Sequence, residues 1–196
     1  MDWGTNQINE WRHANGAGEQ TTTSARTCNN GVRVRWKAPQ GDCLKLNVDA
    51  SIVQDSSSFS VGWILRNHVG DFKGGRVMKI NMKASVLEAE AIGILEALSW
   101  VMDRTDSKVC IESDSLTAVQ AINRGIPYQL ELGHIFDECR LRLTSRSSLS
   151  LNHVRRLANR VAHTVARFPC ELNCYVDFMS PPRQVLDSMM YDLFSE

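Results

Sequence analysis

Four acidic residues stand where side chains from separate elements can meet. Asp49 ends an apolar strand pattern, and Asp114 follows a second strand pattern at the entry to a helix. Glu88 and Glu90 lie near the start of another helical pattern. Strand ends and helix starts converge in open α/β sheets, and functional residues gather there. Crowded carboxylates repel one another, a cost that is easier to understand if they bind a cation.

Each of these acids also has an ordinary structural explanation. Asp49 is of a residue type that is common in turns where strands end. Ser85 and Glu88 form a capping box, in which Glu88 folds back to the amide of Ser85. Asp114 fits a helix N-cap, a role worth ~1 kcal/mol. Glu90 has no capping role, but periodicity alone does not choose between Glu88 and Glu90 as the functional acid.

The strand before Asp49 is the element around which the folded part of the chain is organised. Polar and apolar residues alternate over residues 44–49, and this period of two predicts a strand with one buried face. The alternation stops at Asp49-Ala50-Ser51. We therefore expect the carboxylate of Asp49 in or just past the end of the strand.

The later patterns predict an α/β domain with the element order β-β-β-α-β-α-α-β-α. Short turns join the first three strands, so we expect a five-stranded mixed sheet whose first three strands are antiparallel, with flanking helices. Further strands are predicted over residues 59–66, 72–80, 108–112 and 148–154, and helices over residues 84–101, 116–123, 130–143 and 158–167.

The chain divides into three segments. Residues 1–31 are rich in Asn, Gln, Thr, Gly and Ser, and they bury too little apolar surface to offset the entropy of ordering, so disorder is expected. Residues 32–168 carry the folded domain. Residues 169–196 form a C-terminal extension with a short amphipathic helix, which either packs on the domain or contacts a partner.

The composition is that of a globular protein without a general affinity for polyanions. The 196 residues are 43% hydrophobic and 22% charged, with a formal net charge of zero, so any basic surface must be local. The six cysteines include no Cys-x-x-Cys pair that would suggest zinc, and reduced thiols are expected. No apolar run approaches the ~20 residues of a membrane span, and no signal peptide is seen. We expect a soluble intracellular protein.

Four short motifs together resemble the type 1 ribonuclease H domain. The likeness is greatest to plant RNase H-like proteins related to the C-terminal domains of non-LTR retrotransposon polyproteins, and it spans roughly residues 42–168. Any one motif is weak, but four in this order on matching elements are specific. The motifs are Leu46-Asn47-Val48-Asp49, Leu87-Glu88-Ala89-Glu90-Ala91, Glu112-Ser113-Asp114-Ser115, and His153 with Ala158-Asn159-Arg160-Val161-Ala162-His163.

The resemblance implies an acidic site that binds two Mg²⁺ ions, with Mn²⁺ as the alternative, and cleaves the RNA strand of an RNA–DNA hybrid. Carried over by position, Asp49 bridges both ions, and Glu90 and Asp114 supply the other carboxylates. His163 stands where many members have aspartate and plant-type members have histidine; an ordinary place on the helix surface is its alternative. His153 matches the histidine of a loop that helps product leave.

Substrate recognition is expected to depend on arginine. Seven arginines and no acid occur between Arg140 and Arg167, and this run suits contacts with phosphates, unless it is simply a solvated helix face. Within it, Arg155, Arg156 and Arg160 are the predicted nucleic-acid contacts.

Two departures from the family keep a second function open. Val86 and Leu87 stand where the family often has asparagines, and residues 125–130 lack the basic handle of many bacterial members. The leading prediction is a monomeric, metal-dependent endonuclease for RNA–DNA hybrids with no membrane partner. The alternative is a nucleic-acid-binding or interaction module that keeps the fold with little or no turnover.

Overall fold

A computed structural model describes residues 35–53, 56–128 and 130–194, and the predicted disordered segment 1–31 lies outside these ranges. Within them, six strands form one sheet: β1 (Leu44–Ile52), β2 (Phe59–Arg66), β3 (Phe72–Ile80), β4 (Val109–Ser113), β5 (Leu149–His153) and β6 (Tyr175–Phe178). The helices are α1 (Val86–Met102), α2 (Leu116–Arg124), α3 (Leu130–Ser145), α4 (Arg160–Ala166) and α5 (Arg183–Phe194), with a 3₁₀ turn at Arg156–Ala158.

The sheet has the strand order β5-β4-β1-β2-β3-β6. β1, β2 and β3 are antiparallel neighbours, whereas β4 and β5 run parallel to β1 and are reached through helical crossovers. The predicted mixed α/β fold is therefore confirmed. The predicted number of five strands is wrong, because four residues of the C-terminal extension pair with β3 as β6.

β1 occupies the middle of the sheet and continues past Asp49 to Ile52. Its parallel ladder with β4 stops at the pair Val48–Ser113, while its antiparallel ladder with β2 runs on to Ile52–Phe59. The prediction that the strand ends at Asp49 is thus wrong, because one of its two neighbours departs there and the other does not. Asp49 lies at the point where β1 and β4 separate.

Both faces of β1 are buried, so the prediction of a single buried face is also wrong. One face packs in the core beneath α1. On the other, Lys45, Asn47 and Asp49 are each less than a tenth exposed. Trp36 Nε1 donates to Asn47 Oδ1 at 2.9 Å, and Lys45 Nζ lies 2.6 Å from Glu112 Oε1. Polar groups that are paired internally need no solvent, and hydrophobic periodicity cannot reveal such a face.

Two helical layers cover the sheet. Val61, Trp63 and Leu65 of β2 pack in the cluster that includes α1, α2 and α3. Ile64 points to the opposite face and packs with residues of α4 and α5, including Val165. The alternation along β2 follows from the period of two in a strand. The predicted last helix, residues 158–167, is instead the 3₁₀ turn followed by α4, with Asn159 between them.

The C-terminal extension packs on the folded domain, which is one of the two predicted alternatives. β6 lengthens the sheet, and α5 buries Val185 and Met189 against α4. Asp192 of α5 lies 2.9 Å from Arg66 of β2, with both side chains almost fully buried. Such a pair fixes the position of α5, because either partner alone would be an uncompensated buried charge.

The five cysteines within the described ranges are free. No helix of these ranges combines the length and the apolar character needed to cross a bilayer.

Candidate active site

Three carboxylates converge at the junction of β1 and β4. Asp49 is the first residue of β1 beyond the parallel ladder, and Asp114 is the first residue after β4. Glu90 reaches the same place from the beginning of α1. Each contributes one oxygen to a group whose members all lie within 4.8 Å of one another. The convergence predicted from the sequence is confirmed.

The start of α1 separates the roles of its two acids. Ser85 N donates to Glu88 Oε2 at 2.7 Å, and Glu88 N donates to Ser85 Oγ at 3.3 Å, so the predicted capping box is present. These bonds lower the pKa of Glu88. Glu90 is turned into the protein and is 8% exposed. The choice of Glu90 as the acid of the cluster is therefore supported by geometry.

Burial makes the ionised cluster costly. It raises the pKa of Asp49 to about 7, with a contribution from the neighbouring Asp114. It also raises the pKa of Glu90 to about 8, and repulsion from Asp49 and Asp114 adds to the rise. Arg156 lowers both values, because a nearby positive charge favours the ionised form. Near neutral pH, protons therefore stabilise the cluster when no cation does.

The donor set fits a divalent cation. Glu90 Oε2 is buried and has no hydrogen-bond partner in the part of the chain that the structure describes, and a buried polar atom without a partner is costly. It belongs to a group of three carboxylates, the ligand type that Mg²⁺ prefers while keeping several waters. Asp49, Glu90 and Asp114 therefore have the chemistry to hold a hard divalent ion.

His163 lies against Asp49 at the rim of the cluster. Its Nδ1 is 2.7 Å from Asp49 Oδ2, and its side chain is 25% exposed. Gly62 of β2 is the cross-strand partner of Asp49. A Cβ at Gly62 would lie 2.4 Å from the backbone nitrogen of Ala166. Glycine therefore lets α4 pack closely enough on the sheet for His163 to reach Asp49.

His163 is suited to carry a proton. Burial lowers its pKa, and Arg167 and Arg156 lower it further. The imidazole is therefore neutral at neutral pH, and its Nδ1–H donates to Asp49 when that carboxylate is ionised. A neutral imidazole placed at a reaction centre can accept and return a proton.

His153 takes a different place. It ends β5, opposite Ser113 of β4, and it is exposed. Among the described residues it has no hydrogen bond or ion pair with the carboxylate cluster. The structure thus puts His153 on a strand next to the cluster without bringing its side chain into contact.

The arginine run is only partly at the site. Three of its seven members are paired with acids that do not belong to the carboxylate cluster, so the expectation of a basic region around the site is wrong for them. These pairs are Arg140 with Asp137, Arg142 with Glu138, and Arg146 with Asp106.

The three predicted nucleic-acid contacts differ in position. Arg156 Nη1 lies 3.7 Å from Asp114 Oδ2, and its side chain is 69% exposed. The Arg160 guanidinium lies 4.3 Å from the ring centre of Tyr191, which directs it toward α5. Arg155 is exposed. Arg156 therefore combines contact with the cluster and access to a ligand.

Arg167 is a candidate that the sequence interpretation left without a role. It lines a cleft of about 230 Å³ beside the cluster together with Arg156, Glu90, His163 and Val86. Its spacing from His163 could have revealed it, because residues four apart lie on the same side of a helix.

Asn159 is a second candidate functional residue, which the sequence shows only as one member of the motif of residues 158–163. It is 1% exposed, and its Nδ2 donates to Asp114 Oδ1 at 3.2 Å and to the carbonyl oxygen of Val48 at 2.9 Å. No sequence pattern indicates these contacts, because both partners are far from Asn159 in the chain.

The sequence profile of the reverse transcriptase-like family matches residues 47–168, which include the carboxylate cluster and its surroundings. The chain belongs to this family. Its fold is that of ribonuclease H, so the family resemblance read from the motifs is confirmed.

Relatives of this reverse transcriptase-like chain include an Arabidopsis thaliana protein named "Putative ribonuclease H protein", 26% identical over 140 residues. The match covers 71% of this chain and only 22% of that protein. RNase H1 of Halobacterium salinarum has a TM-score of 0.56 at 20% identity, over 63% of this chain and 94% of that one. LC11-RNase H1, isolated from compost and solved with an RNA/DNA hybrid, has a TM-score of 0.51 at 14% identity, over 62% and 92%.

Proposed function

We propose that this reverse transcriptase-like domain hydrolyses the RNA strand of RNA–DNA hybrids with two divalent metal ions. The observation that carries the proposal is the convergence of Asp49, Glu90 and Asp114, with a buried unpartnered oxygen on Glu90. The choice of substrate is supported by the ribonuclease H relatives, one of which was solved with a hybrid.

The three carboxylates would hold the metal. Asp49, Glu90 and Asp114 would each supply an oxygen ligand from the group in which they converge. We propose Mg²⁺, with Mn²⁺ as the alternative, because the donors are hard oxygens. When bound, the ions supply an activated water and stabilise the oxygen that leaves. Asp49 and Glu90 are buried, and removal from water strengthens the electrostatic interactions of their carboxylates.

His163 would handle protons next to the metal ligands. Its neutral ring lies at the rim, where it has access both to Asp49 and to solvent. His153, exposed at the end of β5, would act later by helping product leave.

We expect His163→Ala to lower turnover by about 10²-fold, the usual scale of general acid–base catalysis, while metal affinity stays nearly unchanged. His163→Asp should keep activity and bind metal more tightly, because it adds an oxygen ligand. Steady-state cleavage and Mn²⁺ titration calorimetry measure the two effects.

His134 of α3 provides the matched control, since it is an exposed histidine outside the cleft. His134→Ala should leave both quantities at wild-type values. Equal turnover of wild type and His163→Ala between pH 5 and pH 8 would make His163 an ordinary surface residue.

A groove next to the cleft offers a path for the substrate backbone. It has a volume of about 630 Å³ and shares Ser51, Ile52 and Arg167 with the cleft, and Lys79 also lines it. Arginine and lysine along such a path would neutralise phosphates. We propose that Arg156 and Arg167 hold phosphates at the cluster, with Arg155 and Arg160 nearby.

We expect Arg156→Ala to weaken binding of a hybrid and to reduce the salt slope of binding by about 1, because one phosphate contact is lost. Fluorescence anisotropy in the Asp49→Asn background, between low and moderate salt, measures this slope without cleavage. Arg142→Ala is the control, since Arg142 belongs to the same run but is paired with Glu138. Equal slopes for the two variants would remove Arg156 from the binding surface.

A binding module without turnover is the second candidate function. It is favoured by Val86, which is 68% exposed and lines the cleft, because an apolar side chain there cannot hydrogen-bond a substrate and so cannot help to position it for cleavage.

One assay separates the two functions. An end-labelled RNA is presented in a hybrid with DNA, as a single strand, and as an RNA duplex, with Mg²⁺, Mn²⁺ or a chelator. Metal-dependent cleavage confined to the hybrid supports the enzyme. Binding of the hybrid without cleavage in either metal supports the module.

A further inference from the structure

Asn159 uses its side chain in an unusual way for its position. It stands at the N-cap of α4, yet its side chain makes no capping hydrogen bond, although asparagine is among the preferred capping residues. Instead, one amide hydrogen goes to the carbonyl oxygen of Val48 at 2.9 Å and one to Asp114 Oδ1 at 3.2 Å. The side chain thus ties together β1 and the residue that follows β4.

Asn159 makes this link at the point where the backbone pairing between β1 and β4 ends. The parallel ladder between β1 and β4 ends at Val48–Ser113, so Asp49 and Asp114 project from strands that are separating. The Asn159 amide spans this gap from above the sheet. The ion pair that Arg156 makes with Asp114, at 3.7 Å and with an exposed guanidinium, is a looser restraint.

The orientation of the Asn159 side-chain amide is fixed by the hydrogen bond that its oxygen accepts. Its Oδ1 accepts from Asn47 Nδ2 at 3.2 Å. Asn47 is held in turn, because its Oδ1 accepts from Trp36 Nε1 at 2.9 Å and from Arg66 Nη2 at 3.3 Å. If the Asn159 amide were flipped, its oxygen would lie against two acceptors, the Val48 carbonyl oxygen and Asp114 Oδ1. Its nitrogen would then lie against Asn47 Nδ2, which is also a donor. The buried network therefore permits one orientation, in which Asn159 donates to Asp114.

We propose that Asn159 is a positioning residue that sets where Asp114 presents its carboxylate relative to Asp49, and thereby sets the affinity of the site for a divalent cation. The proposal rests on the metal site of the proposed function. A residue with a purely structural role would satisfy the Val48 carbonyl and leave metal affinity unaffected.

Asn123 offers a matched control within the same fold. Its Nδ2 donates to the carbonyl oxygen of Leu151 in β5 at 2.8 Å, so it also ties a helix to a strand through an amide. Within the part of the chain that the structure describes, its side chain makes no hydrogen bond to Asp49, Glu90 or Asp114. Loss of Asn123 removes an amide-to-carbonyl hydrogen bond of similar length without touching the carboxylates.

The first test is Mn²⁺ binding by titration calorimetry on Asn159→Ala, Asn159→Leu and Asn123→Ala, each checked for fold by near-ultraviolet circular dichroism. Leucine fills the volume of asparagine and cannot donate. We expect about tenfold weaker binding in both Asn159 variants, the scale typical for partners of metal ligands, and affinity within about twofold of wild type in Asn123→Ala. Wild-type affinity in a folded Asn159 variant would overturn the proposal.

The second test needs no variant and applies even if the Asn159 variants do not fold. Mg²⁺ is titrated into ¹⁵N-labelled wild-type protein, and the side-chain amide resonances of Asn159 and Asn123 are followed. We expect the Asn159 pair to shift along the same saturable curve as the backbone amide of Asp114, while the Asn123 pair stays fixed. An Asn159 pair that stays fixed while Asp114 shifts would overturn the proposal and leave the metal site intact. If nothing shifts at saturating Mg²⁺, the metal site and this inference both fall.

Discussion

Asp49→Asn should abolish hybrid cleavage, lowering turnover by about 10³-fold or more, because several kcal/mol of metal-dependent transition-state stabilisation are lost. The fold should persist, since asparagine has the same shape and can still hydrogen-bond His163 across the 2.7 Å contact. Without metal, the variant should unfold at a higher urea concentration than wild type near pH 8. The reason is that one of three repelling carboxylates has become neutral.

Glu88→Gln is the control for this experiment. It alters an acid of the same motif that belongs to the capping box, so it should keep wild-type turnover and lose about 1 kcal/mol of stability or less. Cleavage rates measure the activity of both variants, and urea midpoints measure their stability. If Asp49→Asn unfolds the domain or cleaves at the wild-type rate, Asp49 is not a metal-binding centre.

The metal-free protein should become less stable as the pH rises from about 5 to about 8, the reverse of ordinary acid denaturation. Glu90 has an ordinary value of 4.5 that burial raises to about 8, and Asp49 rises from 3.8 to about 7. Between these limits the native state binds protons that the unfolded state has lost. The stability that the two carboxyl groups contribute is fully present below their pKa values in the unfolded state. It is lost as the pH rises through their pKa values in the native state, at up to about 1.4 kcal/mol per pH unit for each proton.

Two comparisons test this account of the pH dependence. Glu90→Gln cannot lose a proton, so its free energy of unfolding should fall less steeply over the same range. Saturating Mg²⁺ should stabilise wild type more at pH 8 than at pH 5, because the cation binds the ionised carboxylates. Urea unfolding at a series of pH values measures both. A metal-free stability that rises with pH up to 8 would contradict the raised pKa values.

Local patterns together with the family resemblance predicted most of the site. The capping box of Ser85 and Glu88 depends on residues three positions apart, so the sequence explained Glu88, whereas the choice of Glu90 for the cluster came from the resemblance. The periodicities also placed Asp49 and Asp114 near the same edge of the sheet. These features were predictable because they depend on neighbours in the chain.

Features that depend on tertiary pairing were not predictable. The true end of β1, at Ile52, is set by how far β2 stays paired with it after β4 has departed, and the sixth strand exists only because β3 offers an edge to residues 175–178. The period of two predicts that Lys45 and Asn47 face solvent. Both are nevertheless buried, with their polar groups paired to residues that are distant in the chain. A run of arginines shows charge but not pairing, so the neutralisation of Arg146 by Asp106 could not be seen.

Anomalous diffraction from wild-type crystals grown with Mn²⁺ tests directly whether the three carboxylates bind two metal ions. We expect two anomalous peaks ~3.5–4 Å apart, both within coordination distance of carboxylate oxygens from the group formed by Asp49, Glu90 and Asp114. Asp49→Asn crystals grown under the same conditions should lose these peaks. A well-ordered site with no anomalous density between the three carboxylates at saturating Mn²⁺ would show that they do not form a metal site.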